Sequence, residues 1–469
     1  MTADTIVRLG AGELARAMRE RRLSASDAVE ASLERIAALD ESLQAFVTVA
    51  ADAARKEAKE ADRASAPRGP LHGVPVAVKD NTATRGIRTT HGSCRFREFV
   101  PEKDHNCVAR LRAAGAIVIG KTNTPEFAFG AVCRNPLRGP TANPWDHERT
   151  SGGSSGGSAV AVTTGMVPLA HGTDFGGSVR TPASFCGCVG LRPTPGVIAD
   201  PDRGLAWNTL STHGVLARSA GDAALMLSVL AGPDLCDPTS WPAKDEPGQA
   251  KASHDASRCA ASLDLNGSFR VDEEVATAFE SAVASVARVL GPVSREAPDC
   301  TGASQAFQTL RAALSWHNFR RLLAAGTNDL TPSFVWNVER GKNLPAQAYL
   351  EAEAVRSRAY RSFARFFERF DILILPAASV LPFPNAQEEV TEIAGQPCET
   401  IIDYLAPTYL VSLVGFPVLS LPCGLTTDGL PFGVQLVARP YDEARLLAVA
   451  ERLETAGFRH LWPDLVGVA

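Results

Sequence analysis

The pattern of apolar and polar positions predicts helices that alternate with buried strands along the chain. Ser24 and Asp27 have the spacing of a helix capping box, and the apolar positions behind them repeat with a helical period over residues 25–39. Helix-like stretches at residues 345–370 and 442–453 predict two further helices. These helices are expected to cover a sheet.

Short apolar runs bounded by Gly, Pro or Asp predict buried strands. They lie at residues 74–78, 116–119, 372–375, 418–421 and 432–437. Strands separated by helical segments favour the α/β class. We therefore expect a single large α/β domain with a central mixed, mainly parallel sheet that helices cover on both faces.

Four consecutive parts of this domain differ in character. Residues 1–65 are expected to form a helical segment packed on the core, residues 66–232 carry the chemical motifs, and residues 233–340 form a variable insertion with pocket-lining positions. Residues 341–469 are expected to complete the same domain. Polar residues dominate the stretch 237–258, which predicts an exposed insertion or a mobile loop.

The composition narrows the classes of partner. The 469 residues have a formal net charge of -5 at pH 7 and contain no long run of Lys or Arg. This balance argues against a nucleic acid or a membrane surface and favours a small-molecule ligand. The beginning of the chain lacks the apolar core of a secretory signal, and no stretch reaches the roughly 18 apolar residues that cross a bilayer. We expect a cytoplasmic protein, either a monomer or a homodimer.

The ten cysteines include no C-x-x-C pair. Cys186 and Cys188 are too close in sequence for an ordinary disulfide. We expect reduced, mostly buried thiols, no cluster of His, Cys and carboxylate ligands for a metal, and no cofactor.

Two glycine-rich turns are the main candidates for chemistry. Residues 151–158 contain only Ser and Gly, and residues 172–178 form a second glycine-rich turn shortly afterwards. A flexible linker has a similar composition, but no polar spacer separates these turns from the apolar segment between them. We interpret them as loops with a defined shape.

Two general motifs match the sequence but lack their structural context. Residues 115–122 fit the P-loop pattern, yet their middle positions have the character of a buried strand and Pro125 follows where a helix would start. Residues 153–157 fit the nucleophile elbow of an α/β-hydrolase-type esterase, with Ser155 as nucleophile. The segment before this elbow is polar, and no later histidine lies in a recognisable catalytic loop.

Three stretches together resemble the amidase signature family of serine hydrolases. Lys79 lies near the end of LHGVPVAVKD, Ser154 lies in GGSSGGSAVAV, and Ser178 lies in HGTDFGGSVRTPASFCGCVGLRP. The separation of 24 residues between the two serines is that of the family's two catalytic serines. The resemblance extends from about residue 5 to residue 460 and thins over 233–340.

This resemblance implies amide-bond hydrolysis by a Ser-cisSer-Lys triad through an acyl-enzyme. Ser178 is the expected nucleophile, Ser154 the proton relay held in a cis peptide, and Lys79 the base. Burial of Lys79 is expected to lower the pKa of its amine, while the adjacent Asp80 should point to the opposite face of the strand. The missing side chains before Ser178 let backbone N–H groups converge, so the expected oxyanion hole comprises Phe175, Gly176, Gly177 and Ser178.

Asp174 and Arg180 flank the nucleophile in the family's T-D-x-G-G-S-x-R pattern. We expect them to support the site by orienting the loop or touching substrate, and an ordinary buried ion pair is the alternative. The pockets of this family are lined by less regular segments, here residues 122–135 and 315–340. Aromatic side chains in these segments favour small apolar or aryl amides, with core packing as the alternative; they are Phe127, Phe129, Trp316, Phe319 and Trp336.

Two other activities remain open within this resemblance. Esters and carbamates share the same tetrahedral chemistry, so esterase or urethanase activity is consistent with the site. A glutamine-hydrolysing amidotransferase subunit is the main alternative within the family. Against it, this chain has Pro125 and Glu126 where such subunits usually carry Asp-Glu, and the Arg-rich segment of tRNA transamidases is absent from the C-terminal third.

Overall fold

The computed structural model describes residues 1–130, 132–240, 258–387 and 389–465. Its strands are β1 (Phe46–Val49), β2 (Pro75–Lys79), β3 (Ile117–Thr122), β4 (Ala142–Asn143), β5 (Asp146–Thr150), β6 (Leu169–Asp174), β7 (Val189–Arg192), β8 (Thr212–Ala217), β9 (Cys259–Ala261), β10 (Val293–Ser294), β11 (Ile372–Pro376), β12 (Glu392–Ile393), β13 (Gln396–Pro397), β14 (Val418–Leu425) and β15 (Pro431–Val437). Its helices are α1 (Ala3–Arg8), α2 (Ala11–Arg19), α3 (Ala25–Leu43), α4 (Ala51–Asp62), α5 (Asn106–Ala113), α6 (Gly156–Thr163), α7 (Arg180–Cys186), α8 (Ala220–Leu230), α9 (Glu273–Leu290), α10 (Ala303–Ala324), α11 (Pro332–Glu339), α12 (Ala346–Arg369), α13 (Ala406–Val414) and α14 (Glu443–Thr455).

One eleven-stranded sheet organises these elements, in the order β1-β3-β2-β6-β8-β7-β14-β15-β11-β9-β10. Parallel pairing occurs in two blocks, β3-β2-β6 and β11-β9-β10. The strands between these blocks pair antiparallel, as does β1 with β3. The predicted mixed sheet is confirmed, and its parallel pairing is confined to these two blocks, with four parallel and six antiparallel pairs among the described strands of this sheet.

Both faces of the sheet are buried. Ile372 and Ile374 of β11 belong to one hydrophobic core, whereas Leu373 and Leu375 belong to a second core. Successive side chains of a strand point to opposite faces, so the two cores lie on the two sides of the sheet. Residues of α3, α6, α8, α9 and α14 contribute to the first core, and residues of α10, α12 and α13 contribute to the second.

All five strands and all three helices predicted from periodicity are present. The first predicted helix begins at its capping box, since Ser24 accepts from the N–H of Asp27, and it continues four residues beyond the predicted end to Leu43. Gln44 ends this helix in the left-handed conformation, with φ of 51°.

The four-part division of the chain stays a prediction, because nothing in the structure separates these parts. Residues 241–257 of the polar segment at 237–258 lie outside the described residues. In the described part of the chain, no helix combines the length and the apolar character needed to cross a membrane.

The topology places the two glycine-rich turns beside Lys79. Strands β2 and β6 are parallel neighbours, with Val78 opposite His171, so their carboxyl ends meet at one edge of the sheet. Lys79 ends β2, and Asp174 ends β6 directly before the second turn. Helix α6 follows the first turn and packs against both strands.

A substitution at Gly157 can test this close packing of α6. A Cβ atom at this position would lie 2.4 Å from the carbonyl oxygen of Ala45 and 2.4 Å from the backbone nitrogen of Asn123. We expect Gly157→Ala to lower the free energy of unfolding by about 1–3 kcal/mol, measured by chemical denaturation, because backbone atoms must move.

The matched control is Gly221→Ala in the exposed face of α8. Its Cβ would come no closer than 3.6 Å to Glu451, and alanine has the higher helix propensity, so stability should stay the same or rise by up to about 1 kcal/mol. Equal stability of the two variants would contradict the packing described for α6.

Candidate active site

Lys79 is completely buried at the carboxyl end of β2. Its Nζ lies 2.7 Å from Ser154 Oγ and 3.1 Å from Thr173 Oγ1. Burial lowers the pKa of the Lys79 amine to about 7. Asp80 faces the other way, as predicted, and its carboxylate accepts from the N–H and hydroxyl of Thr90. Lys79 therefore lacks a carboxylate partner among the described residues, and a pKa of about 7 leaves a substantial fraction of its amine neutral near pH 7.

The first glycine-rich turn presents Ser154 to this amine. The peptide bond between Gly153 and Ser154 is cis, as the family resemblance implies. Ser155 is the N-cap residue of α6, and its N–H donates to the carbonyl of Ser178 at 3.0 Å. A backbone hydrogen bond thus joins the two glycine-rich turns.

A buried carboxylate shapes the second turn. Asp174 accepts from the N–H groups of Gly177 at 2.9 Å and Val179 at 3.1 Å. Its oxygen Oδ1 also lies 2.8 Å from Arg180 and 3.4 Å from Arg192. Burial alone would raise the pKa of Asp174, but the two guanidinium groups hold it well below its usual range. The carboxylate is therefore charged and fixes the backbone that carries Ser178.

Arg180 connects this turn to α13 and β15. Its guanidinium donates to the carbonyl of Thr408 at 2.8 Å, to Ser412 Oγ at 2.5 Å and to Gln435 Oε1 at 2.7 Å. Both Arg180 and Asp174 are fully buried. Of the two expectations for this pair, contact with substrate has no support in the geometry, whereas the buried ion pair orients the loop.

Two glycines before the nucleophile occupy positions that exclude a side chain. A Cβ at Gly176 would lie 3.0 Å from Phe307, and a Cβ at Gly177, where φ is 126°, would lie 2.2 Å from Thr408 Oγ1. The N–H of Gly177 already donates to Asp174, which the sequence does not reveal. Among the described residues, no hydrogen-bond partner is present for the N–H groups of Phe175, Gly176 and Ser178.

Ser154 and Ser178 line one cavity of about 250 Å³. Lys79 lies behind Ser154 and is not exposed to this space. The cavity thus gives a small molecule access to both serines, and Ser154 in turn contacts the amine of Lys79.

Three of the five aromatic residues predicted to line a pocket do so. Phe127, Phe129 and Phe319 face the cavity. Trp316 packs against the aromatic cluster beside it, as in the core-packing alternative. Trp336 is 45% exposed and stacks with Arg340, so it does not shape the cavity.

Other cavity residues were not found from the sequence. Phe307 and Tyr409 stack with a centroid separation of 4.4 Å and contribute to its wall. Asn81, Arg203 and Arg311 add polar groups. These residues belong to segments far apart in the chain, and no local motif indicates that they meet.

The structure explains why the P-loop match and the nucleophile-elbow match do not form the sites that their patterns describe. In the P-loop match, residues 117–122 form β3, and Lys121 is buried against Thr82, Thr84 and Thr89. In the elbow match, the side chain of Ser155 is buried, outside the residues that line the cavity, and donates to a backbone carbonyl. Neither motif forms the site that its pattern describes.

The structure differs from the expectation that no metal-ligand cluster is present. Ligand atoms of His105, Cys107 and His213 lie within 4.8 Å of one another. All ten cysteines are free thiols, as predicted. Sequence spacing could not reveal this cluster, because more than one hundred residues separate His213 from the other two.

Comparisons with known proteins identify the family of this chain. The family model Amidase matches residues 27–447. A glutamyl-tRNA(Gln) amidotransferase subunit of Moorella thermoacetica is 35% identical over 491 residues, which cover 98% of this chain and 99% of the relative.

Solved structures show the same similarity. A bacterial aryl acylamidase of the amidase signature enzymes family has a TM-score of 0.88 at 27% identity, with 96% of each chain covered. An inhibitor-bound chain from a vestigial protein complex linked to the origins of an s-triazine catabolic enzyme has a TM-score of 0.87 at 32% identity, covering 97% of this chain and 100% of that chain. With the family model matched over most of its length, this chain belongs to the amidase signature family.

Proposed function

We propose that this protein hydrolyses small apolar or aryl amides to a carboxylate and an amine through an acyl-enzyme on Ser178. The observation that carries the proposal is the 2.7 Å contact of Lys79 Nζ with Ser154 Oγ at the wall of a cavity that also contains Ser178. This arrangement supplies a nucleophile and a base with a hydroxyl available between them.

The first half of the reaction forms the acyl-enzyme. Ser178 Oγ attacks the substrate carbonyl carbon while its proton passes to Ser154, and the proton of Ser154 passes to the neutral amine of Lys79. The same path then returns a proton to the departing nitrogen as the C–N bond breaks. An ester oxygen or a carbamate nitrogen can leave by the same route, so esterase and urethanase activities belong to the proposal.

The second half repeats this path with water. Water attacks the acyl carbon, gives its proton to the Ser154–Lys79 relay, and the proton returns to Ser178 Oγ as the carboxylate leaves. In both halves, backbone N–H groups stabilise the oxyanion. We assign this role to Phe175, Gly176 and Ser178 rather than to Gly177, because the N–H of Gly177 is bound to Asp174.

The cavity wall supports the substrate class. Phe127, Phe129 and Phe319 lie beside the stacked rings of Phe307 and Tyr409. Such a wall buries apolar or aryl groups favourably, at about 25 cal/mol for each Å² of apolar surface removed from water.

The amidotransferase relatives favour one alternative, hydrolysis of glutamine for transfer of its ammonia. Two features weigh against it. Glu126 is buried and accepts from Ser93 and Thr331, so it is not available to a substrate. The wall of the cavity includes six aromatic side chains, whereas glutamine has a short polar side chain. Release of ammonia from glutamine in preference to every other substrate tested would favour the alternative.

The proposal is tested by a hydrolysis screen over aliphatic amides, aryl amides, carbamates and p-nitrophenyl esters. We expect aryl amides to be hydrolysed and an activated sulfonyl fluoride to abolish that hydrolysis by modifying Ser178. Ser178→Ala should lower kcat/KM by about a thousandfold or more, because the covalent step is lost.

Ser155→Ala is the matched control, and it should keep at least a tenth of the kcat/KM of the wild type. Peptide mapping identifies the modified serine. A label on Ser155, or full activity of Ser178→Ala, would overturn the assignment of the nucleophile.

The state of Lys79 predicts the pH dependence. The amine accepts a proton only when it is neutral, so kcat/KM should rise with pH through an apparent pKa of about 7 and level off above it. Lys79→Ala and Lys79→Arg should each lose about two to four orders of magnitude, because neither side chain accepts a proton at these pH values.

Thermal melts of each variant across the same pH range separate loss of rate from loss of fold. A folded Lys79→Arg enzyme that keeps more than about a tenth of the wild-type kcat/KM would show that Lys79 supplies charge rather than proton transfer.

A further inference from the structure

A cluster of histidines and one cysteine lies apart from the residues that line the cavity. His105 caps the N-terminus of α5, Cys107 lies in its first turn, and His213 lies in β8. Cys107 Sγ is 3.2 Å from His105 Nδ1 and 3.8 Å from His213 Nδ1. Cys107 is fully buried, and the two imidazoles are largely buried.

These two distances lie just below and just above the separation of donors around a single zinc ion. Zinc binds Cys sulfur at about 2.3 Å and His nitrogen at about 2.0–2.1 Å, so donors of a tetrahedral site lie roughly 3.3–3.6 Å apart. One thiolate with imidazoles is also a donor set that zinc prefers. The donor atoms of the three side chains lie within 4.8 Å of one another, so metal binding would draw them closer together.

Asp200 occupies the position of an outer carboxylate. Its two oxygens lie 3.1 Å from His105 Nε2 and 3.6 Å from His213 Nε2. Asp200 accepts from Nε2 of His105, which keeps the proton there and leaves the Nδ1 lone pair of His105 facing Cys107, whereas Nε2 of His213 lies beyond hydrogen-bonding distance of the carboxylate. Histidines that bind metals are commonly oriented by such a partner.

His171 supplies a further nitrogen. Its Nε2 is hydrogen-bonded to His213 Nδ1 at 2.8 Å, so this bond must break before both nitrogens bind a metal, and its buried Nδ1 has no hydrogen-bond partner in the described part of the chain. His171 lies in β6, two residues before the Thr173 that contacts Lys79.

We propose that His105, Cys107 and His213 bind one Zn²⁺ ion, with His171 as the fourth donor and Asp200 as the carboxylate that orients the imidazole of His105. The ion joins α5 and β8 to the segment after Asp200. That segment includes Arg203, Leu205 and Asn208 of the cavity wall, so the metal stabilises the wall and takes no part in bond cleavage.

The test starts from purified wild-type protein freed of metal by a chelator. We expect it to bind one equivalent of Zn²⁺ and to melt at a higher temperature when zinc is added. With Co²⁺ as probe, we expect a thiolate-to-cobalt charge-transfer band together with the visible bands of tetrahedral cobalt. Cys107→Ser and His213→Gln should each lower the affinity for zinc by at least about tenfold.

Cys236→Ser is the control, because Cys236 is an exposed thiol outside the cluster. It should keep the stoichiometry, the charge-transfer band and the zinc-dependent rise in melting temperature. A folded wild-type protein that binds less than half an equivalent of zinc at micromolar free metal would overturn the proposal. A cobalt spectrum without a thiolate band would do the same, whether or not the variants fold.

A second inference concerns the charge in the active-site cavity. Arg203 and Arg311 both line it. Arg203 lies 3.4 Å from Asp200 and 3.7 Å from Asp237, so its charge is compensated. Arg311 donates to the neutral amide of Asn337 and lies 5.7 Å from the ring centre of Phe129. No carboxylate pairs with Arg311 within the described ranges.

A partly buried guanidinium among aromatic rings favours an anionic ligand, because carboxylates form short charge-assisted hydrogen bonds with arginine. Resting on the proposed function, the structure assigns Arg311 to recognition of a carboxylate on the substrate, which makes the preferred substrates anionic aryl amides.

Two matched pairs of aryl amides test this assignment. One pair differs by a carboxylate or a hydroxymethyl group on the acyl part, and the other differs in the same way on the aryl amine. We expect the wild type to prefer the carboxylate in at least one pair by about tenfold or more in kcat/KM, mainly through KM. Arg311→Gln should bring that ratio close to one, while Arg321→Gln, an exposed arginine of the same helix, should leave the ratio unchanged.

The two possible failures are distinct. Hydrolysis of both members of each pair with equal kcat/KM would overturn the role of Arg311 and leave the proposed amidase activity intact. Absence of hydrolysis with all four substrates, together with inactivity in the wider screen, would overturn the proposed function itself.

Discussion

The charged carboxylate of Asp174 is the interaction on which the rest of the site depends. It is fully buried, and two guanidinium groups and two backbone N–H groups compensate its charge. An isolated charge in such surroundings would cost several kcal/mol, so the surrounding backbone is held where its N–H groups reach the carboxylate. The shape of the turn that carries Ser178 follows from that constraint. Arg180 extends the constraint to α13, which contributes Tyr409 to the cavity wall.

At Lys79, burial favours the neutral form of the side chain, whereas the equally buried Asp174 stays charged. Its amine has hydroxyl partners, whereas Asp174 has cationic ones, so desolvation lowers the pKa of Lys79 towards neutrality. Lys79 has no such ionic partner because of strand geometry. Asp80 is adjacent in sequence, but its carboxylate is hydrogen-bonded to Thr90 on the other side of β2. One edge of the sheet therefore contains a charged carboxylate that fixes a loop and an amine whose pKa is about 7.

The proposed zinc site and the edge of the sheet that contains Lys79 are connected through the same strands. His171 and Asp174 lie in β6, and His213 of β8 lies opposite Thr173 of β6. A metal bound there would stiffen the segment that follows Asp200 without entering the cavity. Arg311 reaches the cavity from α10 on the other side of the sheet, so the two inferences concern independent parts of the molecule.

The sequence by itself determined the α/β class, the five strands and three helices predicted from periodicity, and the candidate positions of Lys79, Ser154 and Ser178. These features are local, because burial periodicity and short glycine-rich motifs depend only on residues that are close together in the sequence. Only the tertiary structure decided which groups meet: the N–H of Gly177 with Asp174, the ring of Phe307 with that of Tyr409, Arg311 with Asn337, and Cys107 with His213. Each of these depends on packing between segments far apart in the chain, and a linear pattern contains no measure of distance in space.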